Sequence, residues 1–131
     1  MLRGVIICPD KDLSVDLQDT LAETHRIGIV RSLDHYPSEV DLVRFLRATG
    51  PDVVFLSVES MKTALELAVW IEGRAPGTQI VAVNRACHPD ALIETVRAGI
   101  REFVAPPFEL QAVQQPLQRL ELILGAETAV D

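Results

Sequence analysis

The sequence predicts an α/β fold in which one parallel five-stranded sheet is covered by helices on both faces. Five short apolar runs rich in Val and Ile alternate with amphipathic stretches, and the connections between them are short. Hydrophobic residues make up 48% of the 131 residues and aromatic residues only 5%, which indicates one domain with an aliphatic core. Five successive strand–helix units predict a doubly wound sheet of strand order 2-1-3-4-5, with five helices in a three-layer αβα arrangement.

The first two units each begin with an apolar strand and continue into an amphipathic helix. Residues 5–8 form an unbroken apolar run, which predicts a strand buried on both faces. Leucines at every fourth position predict a helix over residues 12–24, and residues 27–30 predict the second strand. Ser38 is a suitable N-cap for the second helix. The apolar face of that helix is expected to contain Val40, Val43 and Leu46.

The third and fourth units repeat this pattern. Residues 53–56 and 80–83 predict strands, and residues 61–71 predict the helix between them. Pro89 suits the first position of the fourth helix, and Gly99 suits the left-handed residue that ends it. The expected inward side chains are Ala64, Leu65, Ala68 and Ile71 in the third helix and Leu92 and Val96 in the fourth.

The fifth unit combines a short strand with the longest helix. Residues 102–105 predict the strand, and residues 109–124 predict the helix. Pro116 lies inside that helix and cannot donate a backbone hydrogen bond, so we expect it on the solvent face at a modest bend. The apolar stripe of the helix consists of Leu110, Val113, Leu117, Leu120 and Leu124, spaced three and four residues apart.

Charge and composition argue against several kinds of partner. Twelve basic and 19 acidic residues give a net charge of −7, which disfavours binding to nucleic acid or to an anionic membrane surface. No apolar run approaches the roughly 18 residues of a membrane span. Because no signal peptide is evident either, we expect a cytoplasmic protein. Cys8 and Cys87 are too few for a disulfide framework or a zinc site, so reduced thiols are expected, and no metal or cofactor.

In a doubly wound sheet the functional crevice lies at the carboxyl ends of the strands. The residues that follow those ends are Pro9, Asp10, Ser57, Asn84, Arg85 and the segment 105–107. Asp10 is interpreted as a helix cap or a vestigial metal ligand, and Ser57 as a small polar strand-end residue or a modification site. Asn84 and Arg85 are interpreted as an anion-binding pair, or as a loop amide beside a solvated charge.

The segment 91–108, which reads ALIETVRAGIREFVAPPF, resembles the end of a bacterial response-regulator receiver domain. Receivers show the pattern R-A-G-A-x-x-[YF]-[LI]-x-K-P-[FY] at this place, and the run at residues 51–56 resembles their third strand. The resemblance covers about residues 3–124 and implies a flavodoxin-like (CheY-like) fold. It also implies a sharp turn at residues 105–107 with a cis prolyl bond, the Ala105–Pro106 bond being the less favoured of the two.

The resemblance further implies that the receiver chemistry is degenerate in this chain. In receivers an Asp after the third strand accepts a phosphoryl group, an acid pair after the first strand holds Mg²⁺, and a Ser or Thr and a Lys bind the phosphoryl oxygens. The corresponding residues are Ser57, the pair Pro9 and Asp10, Asn84, and Pro106. One carboxylate gives Mg²⁺ too few anionic ligands, and a Ser hydroxyl without an adjacent base is a weak nucleophile. The expectation is a pseudo-receiver without aspartyl phosphorylation.

The run at residues 97–104, RAGIREFV, is similar to a particular subgroup of receivers. That subgroup is the atypical receiver domain at the N-terminus of tight-adherence pilus assembly proteins of the TadZ/CpaE type. Those proteins continue into an ATPase domain, and this chain has no Walker A glycines. We expect residues 1–124 to form the receiver-like domain and residues 125–131 to be a C-terminal tail or the start of a linker.

The resemblance also implies a docking surface. In receivers the face made by the fourth helix, fifth strand and fifth helix binds partners or a second copy, and here it carries Arg97, Arg101 and Phe103. Leu122 and Ile123 lie outside the apolar stripe of the last helix, so they are candidates for a second apolar contact on that face. A protein partner or a homodimer is therefore expected to use it.

Two other functions are compatible with the fold. The first is a receiver in a two-component phosphorelay with an atypical phosphorylation site, and the missing acceptor Asp argues against it. The second is a flavodoxin-like protein that binds a small ligand. Against this second function, the loop at residues 9–12 is acidic, which is unsuited to phosphate, and the sequence contains no G-x-G-x-x-G fingerprint.

Overall fold

Five parallel strands form a single sheet in the order β2-β1-β3-β4-β5, which confirms the predicted fold and strand order. The computed structural model describes residues 1–86 and 88–128. The strands are β1 (Leu2–Ile7), β2 (Ile27–Leu33), β3 (Val53–Ser57), β4 (Gln79–Val83) and β5 (Glu102–Val104). The helices are α1 (Lys11–Thr24), α2 (Glu39–Thr49), α3 (Met61–Arg74), α4 (Pro89–Arg97) and α5 (Leu110–Thr128). The predictions for Cys87 and for residues 129–131 of the tail lie outside the described residues.

Strand β3 is the middle strand of the sheet, and β3 and its neighbour β1 are covered on both faces. Successive side chains alternate between the faces, so Ile7 and Leu56 point to one side and Ile6 and Phe55 to the other. The first side packs against α2 and α3, and the second side packs against α1 and α5. Burying such a side chain completely contributes about 1.5–3 kcal/mol, so these contacts account for much of the driving force for folding.

Helix α3 buries the predicted Ala64, Ala68 and Ile71, and helix α2 buries the predicted Leu46, but each helix differs from the prediction at other positions. Helix α2 buries Leu42 and Phe45, whereas Val40 is 62% exposed. In α3, Leu67 is fully buried and Leu65 is only partly buried. Both helices contain apolar residues at neighbouring helical positions, so the periodicity allows more than one inward face. Contact with the sheet selects one of them.

Helix α4 departs most from the prediction, because the residues expected to face inward face solvent. Leu92 is 38% exposed and Val96 is 61% exposed, and Ile93 beside them is 48% exposed. Within this helix the buried side chain is Thr95, and Ala91 one turn earlier is half-buried. The small residues therefore turn toward the sheet, and the larger aliphatic residues form an exposed apolar patch.

Helix α5 is longer than predicted and packs its proline differently. It extends to Thr128, and Pro116 inside it is buried rather than exposed. Pro116 follows Val113 by three residues and so lies on the same buried stripe, which is the physical reason for the error. Leu110, which we expected in that stripe, is 40% exposed at the start of the helix.

Two backbone predictions are confirmed. Gly99 has a φ of 86°, the left-handed conformation expected after α4. The Pro106–Pro107 peptide bond is cis, as expected for the second of the two prolyl bonds. Throughout the described ranges, every helix falls short of the length and apolarity that a membrane crossing requires.

Candidate functional site

Several of the predicted site residues follow the carboxyl ends of the strands along one edge of the sheet, and hydrogen bonds link Arg85 to Asp10 and to Asn84. The predicted residues at this edge are here called the strand-end pocket: Pro9, Asp10, Ser57, Asn84, Arg85 and Pro106. Cys8 lies beside the Ser57 side chain, and its thiol donates to the backbone oxygen of Asp10 at 3.3 Å. Asp10 in turn accepts hydrogen bonds from Arg85, which follows β4. Pro106 follows β5 along the same edge of the sheet and brings neither a donor nor a charge.

Asp10 has two roles in the pocket. It is the N-cap of α1, where its Oδ1 accepts from the Leu13 N–H at 3.1 Å. Its carboxylate also accepts two hydrogen bonds from the Arg85 guanidinium, one from Nη2 to Oδ1 at 2.8 Å and one from Nε to Oδ2. The carboxylate that the resemblance identifies as a remaining metal ligand is therefore already paired with a cation from the chain itself. Among the described residues, no three His, Cys, Asp or Glu side chains come together as a metal site.

The ion pair shifts the pKa of both its members. The hydrogen bonds from Arg85 are the main reason that the pKa of Asp10 lies below its usual range, and the Leu13 N–H lowers it further. The pKa of Arg85 is raised, chiefly by its hydrogen bond to Asp10, and the carboxylates of Asp12 and Asp16 add to the effect. Both groups are therefore charged at neutral pH.

Arg85 and Asn84 each make a hydrogen bond within the chain. The Arg85 guanidinium is paired with Asp10, and its side chain is 56% exposed. The Asn84 side-chain oxygen accepts from the Arg85 backbone N–H at 2.9 Å, which shapes the loop between β4 and α4. The sequence analysis missed the pairing because 75 positions separate Asp10 from Arg85.

Ser57 is fully buried at the end of β3 and is closed off by the loop that follows it. Its hydroxyl oxygen accepts from the Glu59 N–H at 3.3 Å. The hydroxyl of Tyr36 donates to the Ser57 backbone oxygen at 2.7 Å and accepts from the Ser60 N–H at 3.3 Å. Tyr36 therefore joins the β2–α2 loop to the β3–α3 loop at Ser57 and Ser60. The sequence analysis did not identify this tyrosine.

Cys8 is buried next to Ser57 at the end of β1. Burial is the main reason that the pKa of the thiol is raised, so Cys8 is a neutral thiol at neutral pH. Among the described residues it is a free, buried cysteine. Its place next to Ser57 makes it a packing and hydrogen-bonding residue of the pocket.

No protein-family model and no curated protein matches the sequence, but several solved structures match the fold. A CheY-like protein (tadZ) from Pseudomonas aeruginosa is 20% identical with a TM-score of 0.76, over 92% of this chain and 93% of that chain. A pilus assembly-related protein from Burkholderia pseudomallei is 19% identical with a TM-score of 0.78, over 94% of this chain and 91% of that chain. A response regulator from Thermotoga maritima is 19% identical with a TM-score of 0.73, over 95% and 98%. The chain has the fold of a response-regulator receiver domain.

On this receiver fold, the face made by α4, β5 and α5 carries two exposed arginines, Arg97 and Arg101. Neither forms a salt bridge with a side chain in the described part of the chain. Together with Ile123 they line an open groove of about 440 Å³. Leu122 is 75% exposed, whereas Phe103 is half-buried against the core on the α2 and α3 side. Four of the five predicted face residues therefore reach the surface or the groove, and Phe103 is mainly a packing residue.

The same face contains exposed apolar residues, two of which, Leu92 and Val96, were predicted to face inward. Leu92, Ile93 and Val96, here called the α4 patch, share one exposed side of α4. The small residues Ala91, Thr95 and Ala98 recur at helical spacing on the opposite side. This spacing was the sequence feature that could have predicted which side of α4 faces the sheet. Beside the patch, β5 and α5 are held together because Arg119 donates to Glu102 at 2.6 and 2.8 Å.

Substituting Tyr36 tests the closure over Ser57. We expect Tyr36→Phe to lower the free energy of unfolding by about 1–2 kcal/mol, because it removes two hydrogen bonds and leaves the Ser57 carbonyl without its phenol donor. Urea unfolding followed by circular dichroism measures this loss. Amide exchange should accelerate at Ser60 and remain unchanged in β2; an equal acceleration in both places would argue against a local closure.

Acid titration tests the Asp10–Arg85 pair. The pKa of Asp10 is lower in the folded state, so its contribution to stability is present at neutral pH and is lost as pH falls through that lowered value. Asp10→Asn keeps a capping oxygen but removes the charge. We expect Asp10→Asn to be less stable than wild type at pH 7, and the difference to vanish in strong acid. The same substitution at exposed Asp19 on α1 is the control, and an equal pH profile for both variants would contradict the pairing.

Proposed function

We propose that this chain is a non-catalytic pseudo-receiver that acts through protein–protein contact and lacks aspartyl phosphorylation. The proposal depends on two features of the strand-end pocket: its serine is buried and its carboxylate is already paired. The acceptor position is a buried Ser57, and the one remaining acidic ligand, Asp10, is paired with Arg85. A cytoplasmic location and the absence of a cofactor belong to the same proposal.

The chemistry of phosphoryl transfer supports this reading of the pocket. Transfer to a receiver requires a carboxylate acceptor, a divalent cation on hard anionic oxygens, and a positive group for the phosphoryl oxygens. Pro9 and Pro106 stand where the resemblance places an acid and a Lys, and neither ring carries a charge. The serine hydroxyl lies beside a neutral thiol and has no base to activate it.

We further propose that the chain serves as the receiver-like domain of a tight-adherence pilus assembly protein of the TadZ/CpaE type. The RAGIREFV run at residues 97–104 supports this proposal, as do the fold similarities to the CheY-like protein (tadZ) and to the pilus assembly-related protein. In this proposal residues 1–124 form the domain, and residues 125–131 lead toward the rest of the protein.

The face made by α4, β5 and α5 is the proposed docking surface, for a protein partner or a second copy. The α4 patch supplies exposed aliphatic surface, and Arg97 and Arg101 supply charges that no described side chain neutralises. Apolar surface at the centre contributes affinity, and charges at the rim contribute orientation and rate of association. Leu122 and Ile123 extend the apolar part onto α5.

A phosphorylation assay tests the first part of the proposal. After incubation with acetyl phosphate and Mg²⁺, the intact mass of the full chain should show no added phosphoryl group. The variant Ser57→Asp should also remain unmodified, because Arg85 still occupies Asp10 and Pro106 still replaces the Lys. A stoichiometric adduct that hydroxylamine removes would show instead an active phosphorelay receiver.

A paired substitution tests the docking surface. Arg97→Glu with Ile123→Glu should weaken self-association or partner capture at least about tenfold, because it reverses a rim charge and puts a charge into the groove. Analytical ultracentrifugation measures self-association, and pull-down measures partner capture. The matched control is Lys62→Glu with Val69→Glu on α3, where Val69 is 66% exposed. If both pairs behave like wild type, this face is not the interface.

A further inference from the structure

Among the described residues, helix α4 is buried most deeply at its C-terminal end. There Thr95 and Ile100 are buried, and the Ile100 N–H donates to the Thr95 oxygen at 3.0 Å. In the N-terminal half Ala91 is half-buried and Leu92 is 38% exposed. The cap residue, His88, makes no side-chain hydrogen bond to the first turn. Packing alone therefore does little to fix the start of this helix.

Arg85 connects the segment before α4 to another part of the domain. Its guanidinium makes the two-point contact with Asp10, and Asp10 is held in turn by capping the Leu13 N–H at the start of α1. Helix α1 is anchored in the core by Leu17 and Leu21, which are fully buried. The ion pair thus ties Arg85, four residues before the first residue of α4, to a rigid element.

We propose that Arg85 is a positioning residue for α4: an internal cation that binds the pocket carboxylate and thereby fixes the start of the helix. A free divalent ion at Asp10 would neutralise the carboxylate without holding the chain. A guanidinium on the segment that precedes α4 both neutralises the carboxylate and holds that segment in place. The electrostatics of the strand-end pocket therefore act on the helix that carries the α4 patch.

The consequence for docking rests on the proposed function, whereas the ordering of α4 does not. A helix that is already ordered loses less conformational freedom when a partner binds to it, so the ion pair favours docking on the α4 patch. By linkage, a bound partner strengthens the ion pair by the same factor.

Hydrogen–deuterium exchange of the full chain tests the inference. A two-point ion pair between partly exposed side chains changes a local equilibrium by about two- to fivefold. We expect Arg85→Gln to accelerate exchange of the α4 amides by that factor, and Asp10→Asn to do the same. The double variant should be no faster than either single variant, because both remove one interaction. Arg85→Lys should restore part of the protection.

A matched control separates this effect from general loss of surface charge. Arg74 pairs with Glu39 between α3 and α2, so Arg74→Gln also removes one exposed ion pair and should leave α4 exchange unchanged. In wild type, about 1 M salt, which screens charges beyond about 3 Å, should reproduce part of the acceleration in α4.

Unchanged α4 exchange in Arg85→Gln would overturn the inference, as would additive effects in the double variant. The outcome for docking is read separately, by ultracentrifugation of the same variants. Faster α4 exchange with no self-association or partner capture in any variant would contradict the docking function and leave Arg85 as the residue that positions α4.

Discussion

The burial of β1 and β3 on both faces is the constraint from which the rest of this structure follows. A parallel sheet with aliphatic side chains on both faces needs helices on both faces. Here α1 and α5 pack on one face, and α2 and α3 pack on the other. Because all five strands run the same way, their carboxyl ends converge on one edge. Helix α4 precedes β5, which has only three residues, so the sheet beneath α4 is small.

At that edge the hydrogen-bonding groups are engaged with one another. Arg85 pairs with Asp10, Tyr36 binds the backbone after β3, and the Cys8 thiol donates to a main-chain oxygen. Within the described residues no buried side-chain nitrogen or oxygen lacks a partner. At the edge of the sheet that serves phosphoryl chemistry in receivers, the side chains described here bond to one another, whereas α4 exposes the neighbouring aliphatic residues Leu92, Ile93 and Val96. This contrast is the physical basis for proposing a binding module.

The strands were predictable because burial on two sides leaves unbroken apolar runs, as in residues 5–8 and 53–56. The inward faces of helices were less predictable. Val40, Leu92 and Val96 were each placed inside from their spacing, and each is exposed. Spacing establishes that a helix has an apolar side, but the length and position of the neighbouring strands decide whether the sheet reaches that side.

The sequence by itself determined the sheet order, the positions along the chain of the pocket residues, and the serine at position 57, where the resemblance expects an Asp. These properties follow from local patterning and from the identity of single residues. Only the tertiary structure decided that Arg85 binds Asp10, that Tyr36 closes over Ser57 and that α4 turns its aliphatic side outward. Each of these three depends on the approach of segments that are distant along the chain or on the reach of the sheet beneath a helix. Packing of the whole core decides which distant segments meet and where a helix contacts the sheet, and no local sequence pattern encodes that packing.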